Sequence, residues 1–208
     1  LEEQGAKLIG GHSLETRGAT DDQIGLGLNI SLNVNGLLPN GFKMWPLSGL
    51  QTGDILLISR GIGSGVIFAA SMAGKVNPND LDKVISILNE SQHHLLEELR
   101  RIEKKYPDKG SINACTDITG FGLLGHLIQM LKTTNNMRSK LDLLPLRIEL
   151  DADSIPSLNG ALNLISQGFS STLSPFNRRA LSLLEFNRDK PGLIDLKIGS
   201  IPYMSSFH

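Results

Sequence analysis

The chain has 208 residues, 40% hydrophobic and 20% charged, with a formal net charge of −1. That length suits one domain or one domain and a piece of another, and the apolar content supports a packed core rather than disorder. Near-neutral charge gives no bulk attraction to nucleic acid or anionic membrane, and a single cysteine, Cys115, excludes an internal disulfide and a multi-cysteine zinc site.

Every apolar run falls short of membrane-spanning length, and Leu1-Glu2-Glu3-Gln4 lacks the basic and apolar regions of a secretory signal. Without an initiator Met the chain reads as a fragment or a processed product, and a soluble, cytoplasmic protein is expected. Lys7-Leu8-Ile9 reads as a short strand leading into Gly10-Gly11-His12-Ser13. Two glycines after a strand permit close backbone approach to a ligand, and His12 and Ser13 can donate hydrogen bonds to it. Taken alone, Gly-Gly is a turn. Residues 16–23 read as a polar loop. Over residues 24–34, Ile24, Leu26, Leu28, Ile30, Leu32 and Val34 alternate with Gly25, Gly27, Asn29, Ser31 and Asn33. This period of two predicts a strand with one buried face.

Residues 37–50, with Pro39, Gly41, Pro46 and Gly49, read as a link that carries the sole tryptophan, Trp45, packed at an interface. A buried strand is expected at residues 55–59. Gly61-Ile62-Gly63-Ser64-Gly65 follows it and opens a helix over residues 66–73. The loop matches neither the dinucleotide fingerprint nor a Walker loop, so a tight strand-to-helix turn is favoured over a phosphate cradle. Asn77-Pro78-Asn79-Asp80 caps the next helix, whose buried stripe is Leu81, Val84, Ile85 and Leu88. A further helix over residues 92–105 turns Leu95, Leu96, Leu99 and Ile102 inward, and its mixed charges read as a solvated face.

The most informative stretch is Cys115-Thr116-Asp117-Ile118-Thr119-Gly120-Phe121-Gly122-Leu123-Leu124-Gly125-His126. Leu123, Leu124, Leu127, Ile128 and Leu131 recur at spacings of three and four, the mark of one buried helical face. A helix start favours anionic oxygens, and a carboxylate beside it can hold a divalent cation that such a ligand also binds. A cap and a turn suffice for an isolated Thr-Asp pair. Two Thr, an Asp and three Gly within ten positions favour a phosphate-and-metal site. Cys115 reads as a small apolar residue rather than a nucleophile, since neither neighbour is a base. His126 reads as a packed or hydrogen-bonded histidine rather than a metal ligand. Downstream, residues 135–140 read as a basic loop, residues 146–150 as a strand and residues 158–166 as a helix. Residues 170–177 read as a loop, and Arg178-Arg179 begins an apolar helix with its guanidinium groups in solvent. Residues 192–196 read as a further strand.

The stretch from Cys115 to His126 resembles the Thr-Asp-Val-Thr-Gly-Phe-Gly-Leu-Leu-Gly-His signature of the selenophosphate synthetase (selenide, water dikinase) family. That family belongs to the aminoimidazole ribonucleotide synthetase superfamily, whose other members carry different glycine-rich strings there. The likeness covers the chain from about Gly10 to about Arg179 and fades after Phe186, where a family segment resembling Asp-Pro-Gln-Thr-Ser-Gly-Gly has no counterpart.

The resemblance implies an α+β fold. Residues 46–208 would form a C-terminal domain, a mixed sheet covered by helices and incomplete at its end. Residues 1–45 would be the end of the N-terminal ATP-binding domain and the link. It also implies ATP as a substrate with selenide, selenophosphate, AMP and phosphate as products, Mg2+ as the cofactor, and a homodimer in the full-length protein. Gly10, Gly11, His12 and Ser13 would touch the nucleotide, with His12 a hydrogen-bonding wall rather than a base. Asp117 would ligate the metal, supported by Thr116 and Thr119. The family's catalytic Cys or selenocysteine and Lys lie before the counterpart of Leu1, so no catalytic residue is expected here and the stretch alone should be inactive. Two alternatives stand beside this reading: another ATP-dependent enzyme of the superfamily, and a non-catalytic assembly domain of the same fold.

Overall fold

A computed structural model describes residues 5–12, 31–38, 40–107, 112–186 and 193–196. Contacts divide the chain into two units, Leu1–Met44 and Trp45–His208. In the first unit the described residues are exposed and form no helix or strand. The strand expected at Lys7-Leu8-Ile9 is therefore not formed, nor is the end of the one expected over residues 24–34. Residues 24–30 lie outside the described residues. A strand closes its backbone N–H and C=O groups only on a neighbour, and the described part of this unit offers none.

The second unit opens with α1 (Ser64–Met72), α2 (Pro78–Asn89), α3 (His93–Lys105) and α4 (Gly122–Ser139). Then come β1 (Ile148–Asp151), α5 (Ala161–Ser166), α6 (Ser174–Asn177), a 3-10 segment (Arg178–Leu183), β2 (Leu184–Phe186) and β3 (Leu193–Leu196). Local signals account for α2: the Asn77 side chain accepts from the Asn79 N–H at 2.9 Å and Pro78 occupies the first turn. Val84 is buried with Leu81 and Leu88 beside it, as the spacing predicts, while Ile85 faces out. Together with Ile67 and Ala70 of α1, Leu158, and Ala161 and Leu164 of α5, Val84 forms one hydrophobic cluster.

The turn into α1 is dictated by packing. Gly63 has φ 111°, and a Cβ there would lie 2.6 Å from the Ala161 Cβ. A Cβ on Gly61 would lie 2.8 Å from the Ser157 backbone. The glycine loop thus closes against its own chain, where Ile62 pairs with Ser157 in a parallel bridge. This is the favoured tight turn rather than a phosphate cradle.

A second cluster joins α4 to the sheet: Leu123, Leu127, Met130 and Leu131 pack with Leu150, and Ile155, Leu184 and Ile194 adjoin them. The sheet has the order β1-β3-β2 with both pairings antiparallel, Leu150 opposite Ile194 and Leu184 opposite Leu196. The strands read near residues 146–150 and 192–196 are thus present. The expected mixed sheet is not seen among the described residues, where the Ile62 bridge is the sole parallel pairing. Residues 55–59 form no strand, leaving Ile55 and Leu57 exposed.

Three further expectations change. Residues 135–139 continue α4 instead of forming a loop, because no Gly or Pro interrupts them and Asn135 is needed inside. The Asn135 side chain donates to the Leu146 carbonyl at 3.1 Å and accepts from the Leu146 N–H at 2.7 Å. Part of the loop read at residues 170–177 is the short helix α6, and Arg178 begins a 3-10 segment rather than an α-helix. No residue of α3 is buried: Leu95, Leu96 and Ile102 are exposed, contrary to the inward stripe their spacing suggests.

Candidate functional site

The segment from Ile112 to Phe121 crosses from α3 to α4 and carries Asp117. Its entry is fastened twice: the Ile112 N–H donates to Glu103 Oε1 at 3.2 Å and the Cys115 N–H to the Pro46 carbonyl at 2.9 Å. Its exit is a tight turn, with the Gly122 N–H donating to the Thr119 carbonyl at 2.9 Å and Gly122 at φ 69°. Asn177 of α6 donates to the Gly120 carbonyl at 2.9 Å. A Cβ on Gly120 would meet Leu173 Cδ1 at 2.5 Å, so this glycine is where the segment meets the turn before α6.

Asp117 stands before this turn, not at the helix start. The N-cap of α4 is Phe121, with no side-chain cap, so the reading of Asp117 as a cap does not hold. Its residue is exposed, and no described hydrogen bond or ion pair ends on its carboxylate. The Thr116 hydroxyl donates to the Asp117 backbone carbonyl at 3.3 Å and Thr119 turns to His126, so neither hydroxyl makes the expected support to the carboxylate. His126 is buried, as expected of a packed histidine.

Among the described residues, no three His, Cys, Asp or Glu side chains gather as a metal site. Asp117 offers a hard carboxylate donor without a partner among the described residues. That fits Mg2+, which commonly takes one or two carboxylates and completes its shell with phosphates and water. Gly10, Gly11 and His12 belong to the first unit. They are exposed, and a Cβ on either glycine would meet nothing within 4 Å. Ser13 lies outside the described residues.

Sequence reasoning missed the support beneath the segment. Trp45 Nε1 donates to both oxygens of Glu103 at 2.9 and 3.0 Å, and the Arg100 guanidinium lies 4.1 Å over the indole ring. Arg100 and Glu103 are 3.5 Å apart, their side chains only 19% and 17% exposed. These two charges do not belong to a solvated face; they brace the backbone that leads to Asp117. No sequence signal marked them, since the Leu96 stripe they share is itself exposed. Arg178 and Arg179 are exposed as expected, with the Arg179 guanidinium 5.1 Å over the Phe176 ring.

The electrostatics at Cys115 are readable. Partial burial pushes its thiol pKa up, the Asp117 charge pushes it further, and Arg100 opposes both. The thiolate is the reactive form, so a raised pKa makes Cys115 a poor nucleophile near neutral pH, but the residue is exposed rather than the small buried apolar one expected. Removing the Asp117 charge lowers the thiol pKa and increases the thiolate fraction at any pH below it. Iodoacetamide should therefore alkylate Cys115 faster in Asp117→Asn and more slowly in Arg100→Gln. Equal rates in all three proteins would contradict this arrangement of charges.

Residues 51–169 match the model of the family described as AIR synthase related protein, C-terminal domain. The chain belongs to this family. The matched span holds α1 to α5 and Asp117. Curated relatives at similar distance include the selenide, water dikinase of Treponema denticola, 34% identical over 170 residues that make up 80% of this chain and 39% of that protein. The enzyme of the same name from Clostridioides difficile is 30% identical over 168 residues, 81% of this chain and 40% of that protein. That of Nitratidesulfovibrio vulgaris is 29% identical over 186 residues, 88% of this chain and 44% of that protein. This AIR synthase-related chain thus spans well under half the length of these relatives. The resemblance carried by the segment from Cys115 to His126 is borne out by them. No solved structure gives a significant match. No helix of the described residues is long and apolar enough to cross a membrane.

Proposed function

We propose that the chain is the C-terminal part of a selenophosphate synthetase, which phosphorylates selenide with ATP and releases AMP and phosphate. The observation that carries this is Asp117. It is an exposed carboxylate with no structural partner among the described residues, in the segment whose residues resemble the selenide, water dikinase signature. A carboxylate spared from capping and from ion pairs is free to meet a cation. When bound, Mg2+ neutralises the polyphosphate and lowers the repulsion that opposes attack by an anionic nucleophile.

In this reading the chain's own residues hold rather than react. Asp117 offers an oxygen to the metal, Glu103, Trp45 and Pro46 fix the segment that bears it, and Gly10, Gly11, His12 and Ser13 contact the nucleotide. The residues that transfer the phosphoryl group belong to the part of the relatives that this chain does not cover. Residues 1–45 are the end of that ATP-binding domain, and the chain alone is inactive. Segments such as residues 55–59 would join a mixed sheet only beside strands contributed from there. The full-length protein acts as a cytoplasmic homodimer, with no nucleic-acid or membrane partner.

The test is turnover by the full-length protein. With ATP, Mg2+ and selenide, phosphorus NMR should show selenophosphate, with AMP and phosphate forming alongside. ATP turnover supported by amide substrates and not by selenide would instead assign the protein to another branch of the superfamily.

A further inference from the structure

His126 is 6% exposed, and its Nδ1 has no hydrogen-bond partner among the described residues. Its Nε2 lies 3.1 Å from the Thr119 backbone nitrogen and 3.1 Å from Thr119 Oγ1. A backbone N–H can only donate, so Nε2 carries the lone pair, and in a neutral imidazole the proton sits on Nδ1. A buried N–H without an acceptor is an unfavourable arrangement that native structures seldom keep without a reason. The opposite tautomer could donate from Nε2–H to Thr119 Oγ1, but it would also set that proton against the Thr119 N–H, donor facing donor, and would still leave Nδ1 unpartnered.

We propose that His126 is a positioning residue that keeps an unpartnered Nδ1–H so that its Nε2 can accept from Thr119 and hold the Asp117 segment in a set place against α4. The ring stands on the most deeply buried face of that helix, beside Leu123, Leu127 and Met130. Thr119 lies two residues after Asp117. Upstream, the chain is tied at Cys115, and downstream, Asn177 ties it at Gly120. Between those points, Thr119 is tied to α4 twice, by its carbonyl at the Gly122 N–H and by its N–H and hydroxyl at His126, and His126 supplies the one side-chain tie among the described residues. Loss of the acceptor leaves Thr119 held through its carbonyl alone and loosens the span that carries the carboxylate, and the cost appears in cation affinity more than in the chemical step. This inference rests on the reading of Asp117 as a cation ligand.

Three variants of the full-length protein test it: His126→Leu, His126→Gln and Asp117→Asn. His126→Leu should raise the Mg2+ concentration for half-maximal ATP turnover about tenfold or more, with a smaller change at saturating Mg2+. His126→Gln places an amide oxygen near the position of Nε2 and should recover most of the loss. A folded His126→Leu with the original Mg2+ requirement overturns the proposal; if Asp117→Asn raises that requirement in the same assay, the metal reading survives alone. If Asp117→Asn changes nothing either, the metal reading falls and the proposal with it. Nitrogen NMR of the imidazole in this chain gives a readout that needs neither activity nor a folded Leu variant. The Nδ1–H tautomer, with Nε2 as acceptor, is the expected result, and an Nε2–H tautomer overturns the proposal.

Discussion

Asp117→Asn in the full-length protein should lower selenide-dependent ATP turnover about 100-fold or more at ordinary Mg2+, with part of the loss recovered as Mg2+ is raised. Asn keeps the size of the side chain and one oxygen but removes the charge that binds a hard cation. No described residue pairs with this carboxylate, so the substitution breaks no hydrogen bond or ion pair among the described residues. Melting temperature should therefore stay close to that of the unsubstituted protein, which separates a lost ligand from a damaged fold. Activity and Mg2+ dependence are measured together on the same preparation. Unaltered turnover with unaltered Mg2+ dependence would remove Asp117 from the site.

Leu131→Ala should destabilise the folded chain by about 2–5 kcal/mol, read from the urea midpoint. Leu131 is 0% exposed, in the cluster that joins α4 to the sheet. Its truncation removes apolar burial and leaves a cavity that a helix packed against β1 cannot easily collapse to fill. The comparison is Leu162→Ala on α5, where the side chain is 66% exposed and the change should stay within about 0.5 kcal/mol. Equal midpoints for the two variants would mean that α4 is not seated on the sheet as described. A seated α4 matters for function because it is the fixed base from which the Asp117 segment departs.

Local signals in the chain proved legible wherever a few neighbouring residues decide the outcome. Asn77-Pro78 starts α2 because an amide cap and a preset φ act within one turn, and Leu123, Leu127 and Leu131 fall on one face because a helix repeats every 3.6 residues. The segment from Cys115 to His126 likewise carried the family resemblance in contiguous letters. The glycine loop at Gly61-Ile62-Gly63 was rightly read as a turn, although its cause, the backbone of Ser157 and the methyl of Ala161, lies about a hundred positions away.

What the amino-acid sequence determined by itself was therefore the caps, the helical faces and the family. Tertiary structure alone decided that Asp117 is no cap, that Arg100 and Glu103 turn under Trp45, and that residues 55–59 pair with no strand among the described residues. The physical reason is range. Caps and periodicity are settled by atoms one or two turns apart, whereas burying a charge or pairing a strand depends on a partner whose position only the folded chain supplies.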